Sequence, residues 1–145
     1  MKILSASEKT VRIGSGEANA AISFENMTAS AVAVQVETKN GRFTGLGFSS
    51  FGRYGHGGLL RERFIPRLRA AQDQTLLDGN GNFEPDKAWA VLMQDEKEGG
   101  HGERSGAVGV LEMALWDAFA KSLDMPVWGL LAETYGHIDD SGPAV

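Results

Sequence analysis

The sequence contains no cysteine, and this absence excludes disulfide bonds, thiolate zinc sites and cysteine nucleophiles. Long apolar runs are also missing, because no segment approaches the roughly 20 apolar residues that a membrane-spanning helix needs. The first residues, MKILSASEKTVRI, lack the apolar stretch typical of a secretory signal. We therefore expect a cytoplasmic protein that does not bind membranes.

Positive charge is scarce as well. The formal net charge is −5, and the only basic cluster is RERFIPRLR at residues 61–69. Nonspecific binding to nucleic acid needs basic stripes that replace counterions, so we expect no nucleic-acid partner. Arg61 and Arg69 need not share one face of a helix, and we interpret the cluster as a solvated helix surface.

The first third of the chain has the pattern of β-structure. Residues 31–38 alternate in polarity, which predicts a half-buried strand. The segment Lys39-Asn40-Gly41 then predicts a hairpin turn, because Asn-Gly readily adopts positive φ. Further strands are predicted at 2–13 and 42–48, so this region should form an antiparallel meander. Three residues should line the buried side of the central strand: Val32, Val34 and Val36.

The remainder has helical spacing. One apolar stripe consists of Leu60, Phe64 and Leu68. Pro66 lies inside this helix and should kink or interrupt it. Another helix should begin at Pro85, with three residues facing the core: Trp89, Leu92 and Met93. With 145 residues, we expect one α+β domain, a three-stranded antiparallel meander followed by a small helical bundle.

The most informative segment is 107–132, AVGVLEMALWDAFAKSLDMPVWGLLA. Its apolar spacing predicts a buried helix, a turn and a second, shorter helix. Asp117 and Lys121 lie one helical turn apart, where opposite charges attract. Asp124 and Pro126 indicate the start of the shorter helix, because proline is tolerated in a first turn. The stripe of the longer helix comprises Val108, Leu111, Leu115, Ala118 and Phe119.

The order of residue types in this segment resembles the signature of the mandelate racemase and muconate-lactonising group of the enolase superfamily. Val110 and Ala132 depart from that signature by mild changes of size. The resemblance implies an N-terminal capping domain over 1–136 and a linker over 137–145 that leads toward a barrel. The residues that carry it are Ala107, Gly109, Leu111, Glu112, Ala114, Leu115, Trp116, Asp117, Ala120, Lys121, Pro126, Val127, Leu130 and Leu131.

The resemblance also implies a reaction that is carried out by a barrel domain, and this chain is too short to contain that domain. Relatives remove a proton next to a carboxylate with a Lys or His base, and Mg²⁺ bound by a (β/α)8 barrel stabilises the intermediate. The sequence has no Lys-x-Lys pair and no length for a barrel of roughly 250 residues. We expect no catalytic residue and no metal ligand here, magnesium in the missing barrel, and no activity of this chain alone.

In such relatives the capping domain supplies two mobile loops that close over the substrate and select it. The first loop corresponds to residues 14–21, where Asn19 would contact a hydroxyl of the substrate or simply order the loop. The second corresponds to residues 49–56. There Arg53 would bind a carboxylate and Tyr54 would offer a hydroxyl, or both would belong to a packed structural turn.

Lys97 is the third candidate for a substrate contact. The phrases GRYGHGGLLRERF and EKEGGHGERSGAVG resemble acid-sugar dehydratases, and most closely those of the tartrate dehydratase type. Lys97 could neutralise a second carboxylate of the substrate, or it could be a solvated lysine between Glu96 and Glu98.

Three other residues suggest weaker interpretations. His56, followed by two glycines, fits the N-terminal residue of a helix better than a substrate contact. His101 and Glu103 could suggest a metal, but a glutamate near a helix N-terminus is expected from the helix dipole alone.

We therefore predict the substrate-specificity lid of a magnesium-dependent dehydratase acting on a small hydroxylated mono- or dicarboxylate similar to tartrate. A racemase or cycloisomerase of the same family is the nearest alternative. A different alternative is an interaction module without a barrel, whose exposed apolar surface would promote self-association or partner binding.

Overall fold

A computed structural model of the protein describes residues 1–14, 16–21, 23–52, 55–71, 73–97 and 102–136. Three strands come first: β1 (Lys2–Arg12), β2 (Thr28–Thr38) and β3 (Gly41–Gly52). They form one antiparallel sheet in the order β1-β2-β3. The predicted α+β meander is therefore confirmed, although β2 and β3 extend beyond the predicted bounds.

The central strand β2 alternates as its sequence predicts. Val32, Val34 and Val36 are at most 2% exposed, whereas Ala31 and Gln35 face outward. Thr38 pairs with Gly41 across the hairpin turn, and Gly41 has a φ of +126°. The Asn-Gly pair thus places its glycine in the conformation that the turn requires.

A continuous helical run follows the sheet and passes through Pro66 without a break. It consists of α1 (Gly57–Leu59), a π-helical turn (Leu60–Phe64) and α2 (Ile65–Ala70). In the wide turn the Ile65 amide donates to the Leu60 carbonyl, directly before the proline that has no amide to donate. The irregularity expected at Pro66 is therefore a local widening of the helix.

Three longer helices complete the fold: α3 (Pro85–Met93), α4 (Gly102–Ser122) and α5 (Val127–Tyr135), and a short 3₁₀ turn, Asp73–Leu76, precedes α3. The predicted start at Pro85 is confirmed, and the buried helix predicted within 107–132 is α4, which begins at Gly102. The prediction for Trp89 is wrong, because its side chain is 51% exposed while Ala88 and Leu92 are buried. These two residues lie four positions apart and already form the buried face of α3.

The core lies between one face of the sheet and the helices. It joins the β2 valines to Leu60, Phe64 and Leu68 and to the α4 stripe. Helix α4 packs very closely on β3, since a Cβ at Gly45 would lie 1.8 Å from the Ala114 carbonyl oxygen. A side chain at this position would separate the helix from the sheet.

Within the described ranges there is no (β/α)8 barrel. No helix in those ranges is both long enough and apolar enough to cross a membrane. Most of the domain predicted over 1–136 is described, whereas the linker predicted over 137–145 lies outside the described residues.

Candidate functional site

The second predicted loop, 49–56, is wrong in its first half, because residues 49–52 belong to β3. The topology of the sheet brings the end of β3 and the connection after β1 to one end of the molecule. Arg12, the last residue of β1, pairs with Thr28, the first residue of β2. Thr28 also pairs with Gly52, the last residue of β3. The connection after β1 and the segment after β3 therefore leave the sheet side by side. We call this edge, marked by Arg12, Thr28 and Gly52, the loop end.

Helix α4 begins at the same end. Gly45 lies against Ala114 and Ala118, whereas Gly47 lies against Val110, so α4 runs antiparallel to β3. The start of α4 is therefore next to the point where β3 ends. The loop end combines three segments that are far apart in sequence: the β1–β2 connection, the segment after β3 and the first turns of α4.

The β1–β2 connection has internal order. Asn19 Oδ1 accepts a 3.0 Å hydrogen bond from the Ala21 amide, and Phe24 N donates to Glu17 O at 2.9 Å. Asn19 is exposed. Its side chain therefore orders the loop, which was one of the two roles expected for it, and its contact with a substrate stays a prediction.

Arg53 and Tyr54, the candidates in the second loop, lie outside the described residues. His56 is described and precedes α1, as expected for a residue at a helix start. It is 8% exposed, and its Nδ1 has no hydrogen-bond partner in the described part of the chain. A Cβ at Gly106 would lie 2.6 Å from Cε1 of the imidazole. The missing side chain at Gly106 therefore makes room for the His56 ring against α4.

The α3–α4 connection carries Lys97, which is exposed. Its neighbour Glu96 has a side chain only 4% exposed, at the centre of three arginines. Arg67 lies 2.8 Å from Oε1 and Arg104 lies 2.9 Å from Oε2. Arg63 reaches both oxygens at 3.2–3.3 Å. We call these four residues the arginine cluster.

The interpretation of RERFIPRLR as a solvated surface holds for Arg61, Arg63 and Arg69, which are exposed, and the structure adds ion pairs to that surface. Arg61 pairs with Glu8 of β1, and Arg63 and Arg67 pair with Glu96. The spacing of Arg63 and Arg67, four residues apart, places them on one helix face and could have indicated a shared carboxylate. Nothing in the sequence indicated which carboxylate it is.

An apolar groove of about 850 Å³ extends along α4 from the loop end. Its lining combines the edge of β3, the start of α3, one face of α4 and the inner side of α5, and the described residues of this lining include no lysine or arginine. Many of its apolar side chains are exposed, including Met113 at 44% and Tyr135 at 60%. The lining includes Phe48, Asp86, Gly106, Glu112, Met113 and Tyr135.

The groove also holds acidic groups. Burial raises the pKa of the Glu112 carboxyl, and the negative charge of Asp86 raises it further. Burial and the carboxylates of Asp86, Glu112 and Glu84 likewise raise the pKa of Tyr135. The groove is therefore an apolar surface with acidic groups along one side.

In the described part of the chain, no three His, Asp or Glu side chains come close enough together to hold a metal ion. Glu103 lies in the first turn of α4, and His101 lies outside the described residues. A scan of the chain against models of known protein families found no matching family.

Proposed function

We propose that this chain is the substrate-specificity lid of a magnesium-dependent dehydratase of the enolase type. In this proposal a separate (β/α)8 barrel binds Mg²⁺ and removes the proton next to the substrate carboxylate, and a hydroxide is then lost from the adjacent carbon. The described residues offer no set of metal ligands, so no step through the metal is assigned to this chain. Alone, it is inactive.

The observation that carries the proposal is the arrangement at the loop end. Two connections and the start of a helix meet there, although they are separated by up to about 90 residues. A lid must cover the mouth of a site with several flexible segments held by a rigid base. The sheet and α4 supply such a base.

The substrate contacts assigned in this proposal are Asn19, Arg53, Tyr54 and Lys97. Arginine and lysine suit a substrate with one or two carboxylates, and Asn and Tyr suit its hydroxyl groups. A small dicarboxylate similar to tartrate has both kinds of group. A racemase or cycloisomerase reaction stays the alternative within the same family.

The apolar groove supports a second candidate, an interaction module without chemistry. Exposed apolar patches of this kind mark surfaces that bind another protein surface. In the lid proposal the barrel occupies the groove, whereas in the module proposal another partner or a second copy does. A stable dimer of the chain alone favours the module.

The first test compares the intact mass of the purified protein with the length that its gene encodes. The complete gene product, with Mg²⁺ present, is then assayed for dehydration, racemisation and cycloisomerisation of hydroxy acids. Lys97→Ala should raise KM for a dicarboxylic substrate, and Lys9→Ala, at an exposed position of β1, is the matched control. A complete product that contains no barrel and forms a stable dimer would refute the lid proposal.

A further inference from the structure

The arginine cluster is asymmetric in charge and in burial. Three guanidinium groups surround one carboxylate, and that carboxylate is the most buried member. The side chain of Glu96 is 4% exposed, compared with 45% for Arg63 and 19% for Arg104. Hydrogen bonds from Arg104 and Arg67 and the positive charge of Arg63 lower the pKa of Glu96 despite its burial. Glu96 is therefore ionised at neutral pH and is held by several charge-assisted bonds.

The arginines are themselves held in place by other elements. Arg67 donates to the Leu92 carbonyl at 2.7 Å and stacks over the ring of Phe64 at 5.7 Å. Arg63 and Arg67 belong to the helical run after the sheet, whereas Arg104 belongs to α4. The single carboxylate of Glu96 is therefore fixed relative to two separate helices.

The backbone before Glu96 has a conformation that needs support from surrounding contacts. Asp95 has a φ of +60°, a left-handed conformation that a non-glycine residue keeps only where the surrounding structure imposes it. The Glu96 amide donates to the Met93 carbonyl at 3.0 Å. The chain thus leaves α3 through a tight turn, and the ion pairs of the Glu96 side chain fix the end of that turn.

Lys97 directly follows Glu96, whose ion pairs fix the backbone at this point. It is exposed, and the oxygens of Glu96 are already engaged by the arginines. The ammonium group of Lys97 therefore extends from a fixed backbone and does not share its neighbour's carboxylate.

We propose that Glu96 is a positioning residue for Lys97. By binding arginines of two helices, it holds the backbone from which Lys97 reaches the second carboxylate of a dicarboxylic substrate. The identity of the ligand rests on the proposed function, whereas the role of Glu96 in fixing the backbone does not. Preorganisation of this kind improves binding because the loop is not ordered anew each time a substrate binds.

The effect of Glu96 on the backbone is tested on the present chain by the ¹⁵N heteronuclear NOE of the Lys97 amide, which reports the order of the backbone there. In the wild type the value should equal that of amides in α3 and α4. Glu96→Gln keeps the size but removes the charge, and it should lower the NOE at Lys97 while α3 and α4 stay ordered. Glu96→Asp should restore part of it. The matched control is Glu37→Gln, which breaks an exposed pair with one arginine. An unchanged Lys97 amide in Glu96→Gln overturns the proposal.

The consequence for substrate is tested in the complete gene product. Glu96→Gln should raise KM for a dicarboxylate about tenfold, the scale of a slightly misplaced contact, with kcat and KM for a monocarboxylate unchanged. Equal losses with both substrates would indicate a merely structural role and overturn the proposal. If the wild type dehydrates no hydroxy acid, the proposed function fails, and the NOE still decides whether Glu96 holds the backbone.

Discussion

The carboxylate of Asp117 accepts a 2.8 Å hydrogen bond from the backbone amide of Leu46, which joins α4 to the edge of the sheet. Lys121, one turn later, pairs with Asp117 at 2.7 Å and donates to the Thr44 carbonyl at 2.9 Å. The attraction predicted between the two helix residues is therefore confirmed, and the pair has a second role. It covers backbone groups of the edge strand β3 that would otherwise be open to another strand.

Asp117→Ala should lower the free energy of unfolding by about 1–2 kcal/mol, because it removes a charge-assisted bond to an otherwise unpaired amide. Asp117→Asn keeps an acceptor for Leu46 and should lose about half as much. Urea unfolding monitored by tryptophan fluorescence measures both. The control, Glu37→Ala, removes an exposed ion pair and should cost less than about 0.5 kcal/mol. Equal losses for Asp117→Ala and Glu37→Ala would contradict this account.

Gly106 and Gly109 form a matched pair of glycines in α4. A Cβ at Gly106 would meet the imidazole of His56 at 2.6 Å, whereas nothing lies within 4 Å of a Cβ at Gly109. Gly106→Ala should therefore destabilise the protein by roughly 1–3 kcal/mol, and Gly109→Ala should stabilise it by up to about 1 kcal/mol through helix propensity. Urea midpoints compare the two variants. His56→Ala should relieve the cost of Gly106→Ala, and the absence of any relief would show that the imidazole is not the cause.

The raised pKa of Glu112 gives a pH-dependent prediction. Its carboxyl contributes stability below its ordinary pKa of 4.5, and this contribution is lost as the pH rises through the raised value in the folded protein. At pH 7 the buried charge is therefore unfavourable. Glu112→Gln should be more stable than the wild type at pH 7, and the difference should shrink toward pH 4. Thermal unfolding at both pH values measures it, and a difference that grows toward acid would contradict the sign.

The groove predicts association of the isolated chain. Exposed apolar patches bind one another, so sedimentation should show self-association that depends on concentration. Met113→Glu, on the floor of the groove, should weaken this association by about tenfold or more, since it places a charge in an apolar contact. Trp89→Glu changes an exposed apolar residue outside the groove and should leave it unchanged. If both variants weaken association equally, the groove is not the contact surface.

The fold was largely predictable from the sequence because its core obeys simple periods. The β2 valines alternate, which predicts a strand, and Leu60, Phe64 and Leu68 recur every four residues, which predicts a helix. Each pattern also indicates which face of the element is buried. Trp89 was mispredicted because period alone does not choose between neighbouring stripes. Ala88 and Leu92 occupy the buried face of α3, and the larger tryptophan remains outside it.

The candidate site was less predictable, because its contacts join residues that are distant in sequence. The distance from Arg63 to Glu96 is set by the packing of the helical run 57–70 against α3 and α4, and no local pattern encodes it. The need for glycine at Gly106 was equally hidden, because it depends on the contact with His56, which is distant in sequence. Asn19 could be found as a polar loop residue, but its hydrogen bond to Ala21 required the loop's conformation.

The most direct test of the lid proposal follows the carbon-bound hydrogens of a substrate in D₂O by NMR. The complete gene product is incubated with Mg²⁺ and a small hydroxylated dicarboxylate such as tartrate. We expect loss of the hydrogen next to a carboxylate and formation of a 2-oxo acid that carries solvent deuterium at the carbon that lost hydroxide. Lys97→Ala should slow this reaction at low substrate concentration. No exchange and no product with any hydroxy mono- or dicarboxylate would contradict the account.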